Sequence, residues 1–188
     1  MKRKPQMTYG FESCSDYMKL LIIGHGRHGK DTVAAMLKEE FGLTHLASSE
    51  ASSTIFVFDA LKEKYGYASV EECFNDRANH RAEWYDLICE YNADDQARLA
   101  KDIVERANVY VGMRSQAELD ACIEQGVFDA IIGVMDPRKP LEDIGSMSIN
   151  VEKYSDIMIY NEGTLEDLRH GVKLTYRYIL EELTRGTY

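Results

Sequence analysis

The chain has 188 residues with 22 basic and 32 acidic side chains, a formal net charge of −10. That length suits one domain with a substantial core rather than two. The negative balance excludes a global field for nucleic acid or an anionic membrane, so a phosphate-bearing ligand must meet local positive charge.

The first 17 residues, "MKRKPQMTYGFESCSDY", lack the apolar middle of a signal peptide, and no run approaches the ~18 apolar residues of a membrane span. They are expected to form a loosely ordered arm, residues 1–17, ahead of a single domain over 18–188 in the cytoplasm. The four cysteines (Cys14, Cys73, Cys89, Cys122) stand far apart without a C-x-x-C pair, which reads as free thiols.

The first predicted element is the apolar run "KLLII" at 19–23, a strand. Gly24, four intervening residues and Gly29-Lys30 follow as G-x-x-x-x-G-K, and "DTVAAML" resumes as a helix. Such a loop has specific mechanics. Its glycines let backbone N–H groups turn inward toward phosphate oxygens, and the helix start adds free donors and its dipole. Gly24, Gly26, Arg27, His28, Gly29, Lys30, Asp31 and Thr32 are therefore the candidate phosphate-binding residues, with Lys30 neutralising the β and γ phosphates. Asp31 stands where a Ser or Thr hydroxyl normally meets Mg²⁺. A carboxylate is a good hard-oxygen ligand, so Asp31 and Thr32 are the candidate metal ligands.

Further strand-length runs follow at "THLAS" 44–48, "NVYVG" 108–112, "AIIGV" 130–134 and "DIMIY" 156–160. Short runs apolar on both faces, separated by helical stretches, predict an α/β fold with a parallel sheet between helical layers. The long stretch 50–107 shows helical spacing at Ile55, Phe58, Leu61 and Tyr65, at Trp84, Leu87, Ile88 and Tyr91, and at Leu99, Ile103 and Val104, and predicts a helical insert. Within it "NDRANHRAEW" places Arg77 and Arg81 at i, i+4 on a helix with Trp84 a turn beyond. Either the two guanidinium groups clamp an acceptor phosphate beside a stacking ring, or they form a solvated face with Asp76 while Trp84 is core. Glu50 and Asp59 are candidates for reading sugar or base.

After the fourth strand, Asp136 opens "DPRKP" as either a metal-shell carboxylate or an Asp-Pro turn. Arg138 lies in a short basic segment between two prolines, either a candidate catalytic arginine or part of a rigid surface turn. Asn161-Glu162-Gly163 reads as a strand-to-helix turn with a positive-φ glycine. Thr164–Leu183 reads as a helix capped by Thr164, with Leu165, Leu168, Val172, Ile179 and Leu183 on its buried face.

Three stretches carry a family resemblance. "GHGRHGKDTVA" resembles the phosphate loop of bacteriophage deoxynucleoside monophosphate kinases and related small P-loop kinases. "YSDIMIYNEGTLEDL" (154–168) is similar to the late strand, turn and helix start that these kinases and dephospho-coenzyme A kinases carry near the adenine pocket. "YVGMRSQAEL" (110–119) looks like the strand-Arg-x-x-x-Glu segment of the phage enzymes. The resemblance implies a three-layer P-loop kinase fold, ATP with Mg²⁺, adenine beside Asn161 and Gly163, and Arg114 near the acceptor or transferring phosphate. The expected partners are ATP and a nucleotide acceptor, with no membrane and a homodimer left open. If phage-encoded, the protein works in the host cytoplasm. Related phage kinases imply one alternative, phosphorylation of 5-hydroxymethyluracil in DNA, where Asp31, Glu50 or Asp59 would deprotonate the hydroxyl. The other alternative is a nucleotide-binding switch without transfer, and the absence of N-K-x-D disfavours a guanine-selective one.

Overall fold

Short strands that are apolar on both faces need cover on both faces. A computed structural model describes residues 18–185. The N-terminal arm and Cys14 lie outside the described residues. Among the rest, Cys73, Cys89 and Cys122 are free thiols.

The five apolar runs become five strands, β1 (Leu20–Ile23), β2 (His45–Ala47), β3 (Val109–Val111), β4 (Ala130–Met135) and β5 (Ile157–Tyr160). They form one sheet in the order β2-β3-β1-β4-β5 with every pairing parallel. Along β1 the side chains alternate between two cores. Leu20 and Ile22 pack with Val33 and Leu37 of α1 (Lys30–Phe41) and with Val172 and Ile179 of α9 (Leu165–Arg185). Leu21 and Ile23 pack on the opposite face with Leu99 and Ile103 of α6 (Arg98–Val104) and Leu119 of α7 (Gln116–Gln125). Each fully buried aliphatic side chain contributes roughly 1.5–3 kcal/mol, which is why both helical layers hold to the sheet.

α9 starts on a reciprocal cap. The Thr164 hydroxyl accepts the Asp167 N–H (3.2 Å), and the Asp167 carboxylate accepts the Thr164 N–H (2.8 Å). Gly163 does not take the positive φ that its turn predicts. It is needed for space instead, since a Cβ there would lie 2.9 Å from that of Asp167. Leu165 also departs from expectation and stays exposed, whereas Tyr176 is buried and stacks on Phe41 with ring centroids 4.0 Å apart.

Between β2 and β3 every regular element is helical. The chain runs through α2 (Ser48–Ser52), a π-helical turn (Ser53–Val57), α3 (Phe58–Tyr65), α4 (Val70–Asp76), α5 (Arg81–Tyr91) and α6. The wide π turn advances the buried face, so Val57 rather than Ile55 or Phe58 is fully enclosed. Val57, Leu61, Cys73 and Trp84 form a small core of their own in this insert.

Arg77 and Arg81 do not share a helix. α4 ends at Asp76 and α5 begins at Arg81. The Asp76 carboxylate accepts Tyr67 Oη (2.7 Å), Asn79 Nδ2 (2.5 Å) and His80 Nε2 (2.9 Å), and these local bonds close a turn where helical spacing alone predicts continuity.

β1 leads straight into the phosphate loop, where a Cβ on Gly24 would meet the Val134 carbonyl oxygen of β4 at 2.3 Å. Gly24→Ala should therefore destabilise the fold by about 1–3 kcal/mol and lower Tm by several degrees. An unchanged melting curve would contradict the close approach of loop and strand.

Candidate active site

In an open parallel sheet, ligands bind beyond the carboxyl ends of strands whose outgoing connections diverge. Here those strands are β1, which connects toward β2, and its neighbour β3, which connects across to β4. The phosphate loop leaves β1, and Arg114 and Ser115 follow β3.

Within the loop, Arg27 takes a left-handed φ of 66° and Gly29 one of 105° before α1 begins. A Cβ on Gly29 would lie 2.7 Å from Asn161 Nδ2, so Asn161 packs directly against the loop, where its amide also donates to the His28 carbonyl (3.3 Å). Lys30 is buried, and its Nζ donates to the His25 carbonyl (2.7 Å). Burial, and then the charge of Arg114, hold its pKa below the usual lysine value.

His28 is fully buried and knits the loop to the segment after β4. Its Nδ1 accepts the Asp136 N–H (3.1 Å) and its Nε2 meets the Pro140 carbonyl (3.2 Å). Its ring therefore has no free nitrogen to offer a ligand. Asp136 is buried with both oxygens taken by the guanidinium of Arg138 at 2.8 and 3.0 Å, which makes it a structural turn carboxylate. Arg138 also donates to the Asn161 carbonyl (2.9 Å), on the side of the loop away from the insert.

A cleft of about 680 Å³ opens beside the loop, between the β3 end and the insert. Arg77, Arg81, Trp84, Arg114 and Glu118 all line it. Arg77 stacks over Phe74 (3.9 Å) and donates to that residue's carbonyl (2.8 Å), which fixes its plane. Arg81 is exposed and makes no ion pair among the described residues. Neither arginine pairs with Asp76, whose partners are Tyr67, Asn79 and His80, and both stand on the cleft wall. Trp84 belongs to the insert core and the cleft at once, and its buried Nε1 has no partner among the described residues. Glu50 and Asp59 do not line the cleft; Glu50 accepts the Ala47 N–H (3.2 Å) and Asp59 pairs with Lys62 (2.5 Å).

Two carboxylates of this region join the site residues: Glu142, which no sequence pattern marks, and Glu118, the Glu of the Arg-x-x-x-Glu stretch. Glu142, in the irregular segment after β4, accepts the Gly26 N–H (2.5 Å) through Oε2 and Arg114 Nη1 (2.8 Å) through Oε1. Burial pushes its carboxyl up, but Arg114 and the Gly26 N–H outweigh that and hold it below the usual range. Glu118 sits at the third position of α7 after the capping Ser115, where the pattern marks a capping box. It instead turns inward, is 7% exposed, and accepts Tyr110 Oη (3.1 Å). Burial pushes its carboxyl up to about 7.

Mg²⁺ fits the residues present. Asp31 is exposed on the first turn of α1 without an ion pair among the described residues, and Thr32 follows it. This hard-oxygen pair suits an ion that takes few protein ligands and completes its shell with water and phosphate oxygens. Among the described residues no cluster of three metal-ligating side chains exists that would hold a metal by protein alone.

Solved structures share the architecture. A gluconokinase from Sinorhizobium meliloti 1021 is similar with a TM-score of 0.51 at 12% identity, over 92% of this chain and 98% of its own. A shikimate kinase from Aquifex aeolicus vf5 matches with a TM-score of 0.49 at 14% identity, over 85% of this chain and 96% of its own. No protein-family model matches the sequence, and no curated protein matches it. The chain has the α/β fold of the P-loop kinases. No described helix is long and apolar enough to cross a membrane.

Glu118 generates a pH prediction. Its folded pKa of about 7 lies above the usual 4.5, so the folded chain holds the extra proton between those values and loses stability as pH rises through them. Glu118→Gln, which keeps an acceptor for Tyr110, should match wild type in Tm near pH 4.5. Near pH 8 it should exceed wild type by an amount on the order of 3 kcal/mol at most. Melting curves across that range check it; a Gln variant less stable than wild type at pH 8 contradicts the buried carboxylate.

Proposed function

We propose that the protein is an ATP- and Mg²⁺-dependent phosphotransferase that acts on a deoxynucleoside monophosphate. The observation that supports it best is adjacency: Arg114 and Glu142 line the cleft that presents Arg77, Arg81 and an aromatic wall, and Glu142 also bonds the Gly26 N–H of the loop that follows β1. Donor phosphates lie on Gly24 to Thr32, and the similarity of residues 154–168 to small nucleotide kinases supports adenine beside Asn161 and Gly163. When bound, Mg²⁺ neutralises phosphate charge, held by Asp31 and Thr32.

The acceptor phosphate meets Arg81 and Arg77, and its base lies against Trp84, where Glu118 and Tyr110 offer polar partners on the cleft wall. An acceptor phosphate oxygen then attacks the γ-phosphorus, the bond from that phosphorus to the β–γ bridging oxygen breaks, and ADP leaves with those electrons. The acceptor oxygen is already ionised, so positioning and charge carry the rate. Lys30 and Arg114 serve the transferring group. Arg138, clamped to Asp136 at one edge of the loop, acts in this reading as a brace on the donor side.

Lys30→Ala should lower kcat at least about a hundredfold without unfolding the chain, as losing one transition-state donor does elsewhere. Arg81→Lys should raise the acceptor KM severalfold with the ATP KM unchanged, because lysine keeps the charge and loses the bidentate fork. Steady-state kinetics with the four deoxynucleoside monophosphates decide it. A KM rise confined to ATP moves Arg81 to the donor side, and unaltered constants remove it from the site.

A further inference from the structure

Glu142 bridges the cleft and the loop. Glu142 offers one carboxylate oxygen to the Gly26 N–H (2.5 Å) and the other to Arg114 (2.8 Å). A backbone amide of a phosphate loop and a neighbouring guanidinium are the two kinds of donor that a phosphoryl group uses, and a carboxylate satisfies both with the same charge-assisted geometry. A ligand phosphate and Glu142 cannot occupy these donors together.

The segment that carries Glu142 is fastened to the loop by polar contacts. The Glu142 N–H donates to His25 Nδ1 (3.1 Å), the Pro140 carbonyl meets His28 Nε2 (3.2 Å), and Arg114 also donates to the Ser146 carbonyl (3.2 Å). Its own apolar side chains do not anchor it: Leu141 is 62% and Ile144 83% exposed. Burial resumes only at Asp136 on one side and Met147 on the other, so the span between can leave without opening the core.

We propose that Glu142 is an internal substitute for a phosphate group, which holds the phosphate loop and Arg114 in a self-bound state that the donor nucleotide must displace. This rests on the phosphate-loop reading of residues 24–32. The strap sets the threshold for ATP and keeps the loop donors satisfied between turnovers. It also links the two halves of the site, since ATP arrival frees Arg114 for the cleft.

The test is calorimetric titration of the full chain with ATP, and with adenosine as a probe that lacks phosphate. Wild type, Glu142→Gln, Glu142→Ala and Lys30→Ala are compared. Removing one charge-assisted contact from the competing state should tighten ATP at least about fivefold in both Glu142 variants and leave adenosine unchanged. Equal or weaker ATP binding by Glu142→Gln overturns the proposal, because a residue that helps to hold the nucleotide gives that result. No ATP binding by any variant, or full binding by Lys30→Ala, overturns the phosphate-loop reading and the proposal with it. Amide hydrogen exchange on the wild-type chain needs no variant: ATP should speed exchange at Glu142 as its bond to His25 is released, and slower exchange there would contradict displacement.

Discussion

A strand that turns sharply into a helix leaves backbone N–H groups that no carbonyl of the chain can reach, and this deficit organises the site. The loop can turn so tightly because Gly24 lies against the β4 backbone and Gly29 against Asn161, where side chains would collide. Asn161, His28 and the Asp136–Arg138 pair then lock the loop from beneath. The Gly26 N–H and Arg114, just after β3, are met by Glu142, which supplies an anion from within.

The fold was legible in the sequence because its signals are local. Five runs of about strand length, apolar on both faces, read as strands of a covered sheet, and each became one, with β2 and β5 at its edges. The helical insert was equally plain. Its faces were not, because a π turn at Ser53–Val57 shifts the periodicity that an ideal helix assumes, and the Asp76 carboxylate breaks the run whose i, i+4 spacing puts Arg77 and Arg81 on one helix. Side-chain competition for backbone and turn groups leaves no period to read.

The proposed donor side was also local, one loop of nine residues whose spacing states its mechanics. The cleft proposed for the acceptor was not, since it is assembled from β3, α5, α7 and a segment without regular structure. Arg77, Arg81 and Trp84 reach the cleft by a different route from the one their spacing suggests. Glu142 had no sequence signal at all: it is one acidic residue among many in an irregular stretch, and only tertiary contact with Gly26 and Arg114 marks it. Glu118 ends the Arg-x-x-x-Glu stretch, but its burial beside Tyr110 has no sequence signal, since its position after Ser115 equally fits a helix cap.

The central claim is that loop and cleft together pass a phosphoryl group from ATP to a small monophosphate. The most direct measurement follows the label from γ-labelled ATP and Mg²⁺ into each deoxynucleoside monophosphate, with 5-hydroxymethyluracil-containing DNA alongside. The account predicts labelled deoxynucleoside diphosphate. Label in the DNA alone, or ADP formed with no labelled acceptor, would contradict it.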